Sequence, residues 1–176
     1  MGRGHLNQAY EKFMDLVVHG ARDRMEKGGR PYYALVAYDG KVVGEGPRPG
    51  VSNMDNSFNV TAHAEINAIL EACSTLKKRN LSGATLYTSM EPCPMCLSTT
   101  ILEANIRQVV IGARHARLGR KDLGDYSAEA FVLFIKHNDV QIVTGVREAE
   151  FETMLLQWMR TLTGEQVRTE LLRSLA

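Results

Sequence analysis

A helical pattern separates the last two predicted strands of the chain, and this connection restricts the fold more than any other feature. The strand pattern IRQVVIG at 106–112 precedes a helical pattern around Ala128 to Lys136, and the strand pattern VQIVT at 140–144 follows it. Tight turns join only antiparallel strands, whereas parallel strands need a longer crossover such as a helix. We therefore expect these two strands to be parallel neighbours in one sheet.

The rest of the chain supplies three more predicted strands and four more predicted helices. Apolar residues from Tyr10 to Ala21 recur at helical spacing, and YYALVAYDGKVVGEG at 32–46 is typical of a hairpin with an Asp39-Gly40 turn. The remaining elements are a helix from about Thr61, the strand ATLYTS at 84–89, a helix from Pro92 to Ala104, and a final helix containing Phe151 and Leu162. This order predicts an α/β fold, a three-layer α/β/α sandwich around a five-stranded mixed sheet.

The composition is that of an ordinary globular protein. Of the 176 residues, 44% are hydrophobic and 23% are charged, which is ordinary for a globular protein. A chain of this length fits one domain, so we expect a single domain over 1–176, with the core of the fold at about 10–161. The net charge of +1 demands neither nucleic acid nor a membrane surface as a partner. No apolar run reaches the ~20 residues of a membrane helix, and the N-terminus lacks the apolar core of a signal peptide, so we expect a cytoplasmic protein.

Two cysteines and a histidine stand at predicted helix starts. Cys93 and Cys96 are three residues apart, so both sulfurs lie on one face of their helix, and His63 lies in the first turn of the preceding helix. If the two helix starts converge, they offer Zn²⁺ one nitrogen and two sulfur ligands and leave the fourth position for water, as in catalytic zinc sites. Glu65 has a spacing that suits a proton shuttle better than a fourth ligand.

Other roles for these cysteines stay open at this point. A Cys-x-x-Cys pair also occurs in thioredoxin-like redox proteins, although that role would leave His63 and Glu65 without a function. A structural zinc site would need a fourth Cys or His ligand. Cys73 follows His63 by ten residues, on the same apolar stripe as Leu70, and is expected to be a small core residue.

TAHAEINAI at 61–69 and SMEPCPMC at 89–96 resemble the motif pair of the zinc-dependent cytidine deaminase-like superfamily, H-x-E with P-C-x-x-C. Either motif alone is weak, but the pair at two helix starts is specific. The resemblance covers about Tyr10 to Thr161. Within the superfamily, the chain is similar to the branch that holds guanine deaminases, fungal-type cytosine deaminases and tRNA adenosine deaminases.

The resemblance implies an enzyme with one Zn²⁺ per chain. The positions that match its zinc ligands are His63, Cys93 and Cys96. Glu65 matches the proton shuttle, while the backbone N–H of Ala64 and the carbonyl of Glu91 match groups that hold the substrate. The implied reaction hydrolyses a ring C–NH₂ to C=O and releases ammonia. Relatives are usually dimers or tetramers, so we expect a homodimer.

The segments before His63 depart from this family. Relatives place an asparagine that reads the base just after the second strand, whereas GEGPRPG at 44–50 has none. PYYAL at 31–35 places Tyr32 and Tyr33 where a small residue is common near the pocket floor. Three asparagines further on are candidates to bind the substrate instead: Asn53, Asn56 and Asn59. The alternative is that they form turns, because asparagine tolerates the left-handed conformation.

The loop ARHARLGRK at 113–121 is basic. In the superfamily this loop often lines the pocket entrance, which makes His115 a candidate substrate-binding residue; the alternative is an ordinary solvated loop. A tRNA substrate needs several phosphate contacts and therefore a positive surface. The final helix alternates glutamates with arginines and is not basic, so the charge pattern disfavours a nucleic-acid partner.

We therefore expect a hydrolytic deaminase of a small molecule. The substrate would be a free nucleobase, a nucleoside or a related aminated heterocycle, with guanine and cytosine as the first candidates. The alternative in the same chemistry is tRNA wobble-adenosine deamination (A to I). An alternative of another class is a catalytically silent, zinc-stabilised partner subunit, against which Glu65 argues, because such a subunit needs no proton shuttle. No membrane partner is expected.

Overall fold

The computed structural model describes residues 3–47, 59–118, 123–162 and 164. Its helices are α1 (Arg3–Glu26), α2 (Ala64–Leu76), α3 (Pro94–Ser98), α4 (Ala128–Phe134) and α5 (Glu148–Thr161). Its strands are β1 (Ala34–Tyr38), β2 (Lys41–Gly46), β3 (Thr85–Met90), β4 (Gln108–Ala113) and β5 (Gln141–Val143). A π-helical turn, Thr99–Glu103, continues α3, and a 3₁₀ helix, His115–Leu118, follows β4. None of the helices within these ranges is long and apolar enough to cross a membrane.

The five strands form one mixed sheet in the order β2-β1-β3-β4-β5. β1 pairs antiparallel with β2 and β3, whereas β3 with β4 and β4 with β5 are parallel. The predicted fold class and the predicted parallel pairing of the last two strands are thus confirmed. Asp39 and Gly40 join β1 to β2 with φ values of 50° and 72°, the positive values that a primed hairpin turn requires.

Helices cover both faces of the sheet. Successive residues of β3 point to opposite faces, so Leu86 packs in a cluster with α2 and the α3 region, and Tyr87 packs in a second cluster with α1 and α5. In β4, Val109 packs in the first of these clusters and Val110 in the second. The result is the expected three-layer sandwich.

One edge of the sheet collects the ends of four strands. β3 and β4 are parallel, so their carboxyl ends at Met90 and Ala113 lie side by side. β1 runs the other way, and its first residue, Ala34, pairs with Thr88 on one side and with Gly46 on the other. The chain therefore enters α2 and α3 from neighbouring points, which brings the two predicted ligand segments together.

Two helices begin later than expected. His63 is the N-cap of α2, with φ −65° and ψ 161°, and Cys93 is the N-cap of α3, with φ −67° and ψ 166°. Pro94 at the first helical position explains the later start of α3, because its fixed φ suits that position. Neither N-cap side chain caps its own helix, so both side chains are available to the site.

The face of α2 that packs on β2 is made of small residues. The sequence predicts Leu70 in the core stripe of this helix, but Leu70 is 60% exposed, and Ala64, Ala68 and Ala72 are buried instead. The reason is the close approach of β2, where a Cβ at Gly46 would overlap the carbonyl of Ala64. Gly46 therefore sets the height of α2 above the sheet.

Replacing Gly46 with alanine is expected to destabilise the protein and displace the start of α2. The added Cβ meets backbone as well as Asn67 Cβ at 2.9 Å, and overpacking of this kind costs about 1–3 kcal/mol. At about 2–4 °C per kcal/mol for a chain of this size, Tm should fall by several degrees. Thermal unfolding checks this, with Gly164→Ala as the control, because no atom of the described residues lies within 4 Å of a Cβ there. An unchanged Tm for Gly46→Ala would contradict the close-packing argument.

Candidate active site

Three side chains meet where α2 and α3 begin. His63 Nδ1 lies 3.7 Å from Cys93 Sγ and 3.4 Å from Cys96 Sγ, and the two sulfurs are 3.6 Å apart. Cys96 is fully buried within α3, while His63 and Cys93 are partly exposed. The three potential ligand atoms all lie within 4.8 Å of one another, so this group could hold a metal ion.

The two thiols of this group have opposite pKa shifts. The pKa of Cys93 is lowered to about 4, because its thiolate accepts a hydrogen bond from the Cys96 thiol and lies beside His63. The pKa of Cys96 is raised by its hydrogen bond to Cys93, by burial and by the nearby Glu65 carboxylate. The two cysteines together thus already favour one thiolate, at Cys93, and one thiol, at Cys96. A bound cation favours thiolate at both, because it supplies the positive charge that the second thiolate needs.

Glu65 lies beside this group and is not a member of it. Its residue is 8% exposed, with Oε2 3.5 Å from Cys96 Sγ and Oε1 3.3 Å from Thr88 Oγ1. Burial raises the pKa of the Glu65 carboxyl above its ordinary value. A raised pKa brings a carboxyl group closer to the range in which it can both take up and release a proton, which is what general acid–base chemistry requires.

Ala64 and Glu91 border the ligand residues on the two segments. Ala64 is the first residue of α2, where backbone N–H groups have no partner within the helix. Glu91 follows β3 directly and precedes Pro92 and Cys93. The backbone groups of both residues therefore lie on the two segments that carry the candidate ligands, and their role in substrate binding stays a prediction.

His115 is buried rather than solvated. It is 4% exposed, and its ring lies 6.0 Å from the ring of Tyr126, measured between centroids. Tyr126 in turn donates a hydrogen bond from its hydroxyl to the carbonyl of Pro92 at 2.6 Å. Tyr126 was not predicted as a site residue, because nothing in the sequence near it distinguishes it from an ordinary aromatic residue.

The side chain of Glu91 is a second feature that sequence reasoning missed. The prediction used only its backbone carbonyl, yet the Glu91 side chain is 1% exposed and accepts two backbone hydrogen bonds, from His115 and from Ala128. The sequence did contain a sign of this role. A glutamate between a buried strand and Pro-Cys has little access to water, so its carboxylate needs hydrogen-bond partners inside the protein.

The three candidate asparagines divide between described and undescribed parts of the chain. Asn53 and Asn56 lie outside the residues that the structure describes. Asn59 is exposed, and its Oδ1 accepts hydrogen bonds from Thr61 N at 3.2 Å and from Thr61 Oγ1 at 2.8 Å. This arrangement is typical of an asparagine that forms a turn. A substrate-binding role for the three residues stays a prediction.

The two adjacent tyrosines before β1 have different surroundings. Tyr33 lies against Gly20 of α1, where a Cβ would come within 2.6 Å of the tyrosine ring, so Tyr33 fills the space between helix and sheet. Tyr32 lies 6.1 Å from the ring of Trp158 in α5, and Trp158 is 8% exposed. Tyr33 therefore serves the packing of α1, while Tyr32 and Trp158 form an aromatic pair.

Hydrolytic removal of a ring amino group needs an activated water and a group that carries protons, and H-x-E with P-C-x-x-C supplies both in nucleobase deaminases. The mixed sheet and its site together define a hydrolytic deaminase of the cytidine deaminase-like superfamily. More particularly, the model of the MafB19-like deaminase family matches residues 7–159, and the chain belongs to this family.

Known proteins similar to this chain include a tRNA-specific adenosine deaminase and a guanine deaminase. A tRNA-specific adenosine deaminase of Agrobacterium fabrum is 35% identical over 149 residues, which is 84% of this chain and 92% of the relative. A guanine deaminase of Bacillus subtilis is 38% identical over 107 residues, 60% of this chain and 65% of the relative. A solved structure of a mutant protein in complex with 8-azaguanine has a TM-score of 0.71 at 25% identity, and the match covers 85% of this chain and 83% of that one.

Proposed function

We propose that this protein is a single-domain, zinc-dependent deaminase that hydrolyses a ring C–NH₂ of a free nucleobase, a nucleoside or a related aminated heterocycle. Guanine and cytosine are the first candidates. The observation that carries the proposal is the position of Glu65, a buried carboxyl group 3.5 Å from Cys96 Sγ but outside the ligand group. A silent, metal-stabilised subunit would have no use for an acid–base group at this position.

Zinc fits the ligand group in donor type and in spacing. With Zn–S bonds of about 2.3 Å and Zn–N bonds of about 2.0–2.1 Å, tetrahedral geometry places two sulfurs about 3.8 Å apart, and a sulfur and a nitrogen about 3.6 Å apart. The separations here are 3.6 Å between the sulfurs and 3.4 and 3.7 Å to His63 Nδ1. When bound by His63, Cys93 and Cys96, zinc would supply a water of lowered pKa and an open coordination position.

The residues of the chain would then handle protons and orient the ring. Glu65 takes a proton from the attacking water and delivers it to the nitrogen that leaves, so that water and C–NH₂ become C=O and ammonia. Thr88 holds one oxygen of this carboxyl at 3.3 Å. The Ala64 N–H and the Glu91 carbonyl, which are close in sequence to His63 and Cys93, would bind the ring edge and the amino group.

The charges around the site support a small-molecule substrate. The guanidinium of Arg114 donates to both carboxylate oxygens of Glu129 at 2.7 Å, and it also lies 3.5 Å from Glu91 Oε1. Arg117 lies 3.8 Å from Glu152. Both described arginines of the basic loop thus face carboxylates, so phosphate groups would have to compete with these carboxylates. Nucleic-acid backbones are bound by cations that are free to neutralise phosphates.

The second candidate function is tRNA wobble-adenosine deamination. It is favoured by the likeness to the tRNA-specific adenosine deaminase of Agrobacterium fabrum, which extends over 92% of that protein at 35% identity. The two candidate functions share the zinc and proton chemistry. They differ in whether the ring is part of a small molecule or of a tRNA.

A screen for ammonia release tests the proposal. The zinc-loaded protein should be incubated with aminated purines and pyrimidines, their nucleosides, and pterin- or triazine-like rings, with an anticodon stem-loop as a separate arm. We expect turnover of at least one free heterocycle or nucleoside. Turnover of the stem-loop alone, with binding that weakens steeply as salt increases, would replace this function by the second candidate. No ammonia from any arm would contradict both.

We also propose that the protein acts in the cytoplasm as a homodimer. A reducing compartment would keep Cys93 and Cys96 as thiols available to a metal. Leu133 and Phe134 at the end of α4 are 67% and 82% exposed and offer apolar surface to a second chain. Light scattering on the purified protein measures the mass, and a monomer would contradict the dimer.

A further inference from the structure

A buried carboxylate beside the candidate ligand residues contacts two segments of the chain that follow β4. The side chain of Glu91 is 1% exposed. Its Oε2 accepts a hydrogen bond from the N–H of His115 at 2.9 Å, and its Oε1 accepts one from the N–H of Ala128 at 2.8 Å. We call residues 114–118 the first rim arm and residues 123–128 the second rim arm. One carboxylate thus joins both arms to the end of β3.

The charge of this carboxylate is matched on the first rim arm. Arg114 Nη2 lies 3.5 Å from Glu91 Oε1, and the same guanidinium is held in place by Glu129. Partial burial opposes ionisation of Glu129, but the hydrogen bonds from Arg114 lower its pKa. A buried carboxylate is tolerated when it is paired and hydrogen-bonded. Both side-chain oxygens of Glu91 meet this condition through partners on the rim arms.

A second bond joins the same segments. The Tyr126 hydroxyl, on the second rim arm, donates to the carbonyl of Pro92 at 2.6 Å, and Pro92 directly precedes the ligand Cys93. The Tyr126 and His115 rings are 6.0 Å apart, so the two arms also meet each other. Burial raises the pKa of Tyr126. The phenol therefore stays protonated and keeps its donor role.

We propose that the carboxylate of Glu91 is a positioning residue that holds both rim arms against the ligand residues and so places the wall of His115 and Tyr126 against which the substrate ring binds. The inference rests on the deaminase function proposed above. Flat aromatic side chains suit a heterocyclic ring by offset or edge-to-face packing. A displaced wall weakens the binding of substrate and transition state alike. Uniform loss of that kind raises KM and leaves kcat nearly unchanged.

Glu91→Gln in the zinc-loaded full chain tests this inference. Glutamine keeps the shape but turns an NH₂ group towards a backbone N–H, which removes one of the two acceptors. We expect KM to rise about tenfold, kcat to change by less than about threefold, and metal content to stay the same. A purely structural role would reduce the active fraction and lower kcat at constant KM, and that result would overturn the inference.

The matched control is Glu129→Gln. It removes a charge from the other partner of Arg114 but leaves the His115 and Ala128 N–H contacts intact. We expect its KM to stay within about twofold of the wild-type value, because the two arms remain joined. A KM rise equal to that of Glu91→Gln would assign the effect to Arg114 and overturn the role given to Glu91.

Two further measurements decide the matter if Glu91→Gln folds poorly or if no substrate is found. Tyr126→Phe removes only the bond to Pro92, and it should raise KM in the same direction by a smaller factor; an unchanged KM would count against the proposed wall. Hydrogen exchange needs no turnover: in Glu91→Gln, amides of both rim arms should exchange faster while those of α2 stay protected. Unchanged exchange in both arms would overturn the inference. This result does not depend on the ammonia screen, which tests the deaminase proposal separately.

Discussion

Replacing Glu65 with glutamine is expected to lower kcat by about 10²–10⁴-fold while metal content stays the same. Glutamine matches the size of the carboxyl but cannot accept and release a proton. The three ligand atoms belong to His63, Cys93 and Cys96, so the change leaves the metal group complete. The loss corresponds to about 3–5 kcal/mol of transition-state stabilisation. Ammonia release and elemental analysis of the same preparation provide the two measurements.

The matched control for Glu65→Gln is Glu103→Gln. The Glu103 side chain is 69% exposed and lies 3.8 Å from Arg79, away from the ligand group, so this substitution should leave both rate and metal content unchanged. A Glu65→Gln protein that turns over at a near wild-type rate would show that another group carries the proton. A variant that loses the metal would make Glu65 a ligand and contradict its assignment as a shuttle.

Replacing Cys96 with serine is expected to remove the metal and, with it, the activity. The wild-type protein should carry about one zinc per chain. Serine offers a hydroxyl in place of the thiolate that zinc prefers, and Cys96 Sγ is one of the three grouped ligand atoms. We expect zinc content well below half an equivalent and activity below about one hundredth of the wild-type value, since metal activation of water is worth several kcal/mol.

Cys73→Ser is the control for this second experiment. Cys73 lies in α2 and contacts the carbonyl of Arg79 at 3.8 Å, not the ligand group. Burial raises its pKa, which keeps it a thiol and a poor ligand. The control should bind zinc and turn over normally. If Cys73→Ser loses metal as Cys96→Ser does, or if a zinc-free Cys96→Ser protein remains active, the ligand assignment is wrong.

The order of elements and the fold class could be predicted because they depend on local patterns. Helical and strand periodicities are set by side chains a few residues apart. The helix between β4 and β5 predicted their parallel pairing without any knowledge of contacts between distant parts of the chain. Helix boundaries were less accurate, as with α3, which ends at Ser98 and continues as a π-helical turn instead of running regularly to Ala104.

The candidate ligand group could be predicted because its residue types are concentrated in two short motifs. His63 and Glu65 are two residues apart, and Cys93 and Cys96 are three apart. The packing of α2 could not be predicted in the same way. Its buried alanines and exposed Leu70 follow from the close approach of Gly46, a contact between distant parts of the chain.

The sequence by itself thus determined the class of fold and the candidate ligand and acid–base residues, since both depend on residues close together along the chain. Only the tertiary structure decided what surrounds that chemistry. Glu91 finds its partners 24 and 37 residues away, at His115 and Ala128. Those contacts exist because β3 and β4 run parallel and end side by side. The Glu91 carboxylate, at the end of β3, is thereby placed against the segment that follows β4. A local sequence pattern cannot predict this contact, because the residues are far apart along the chain.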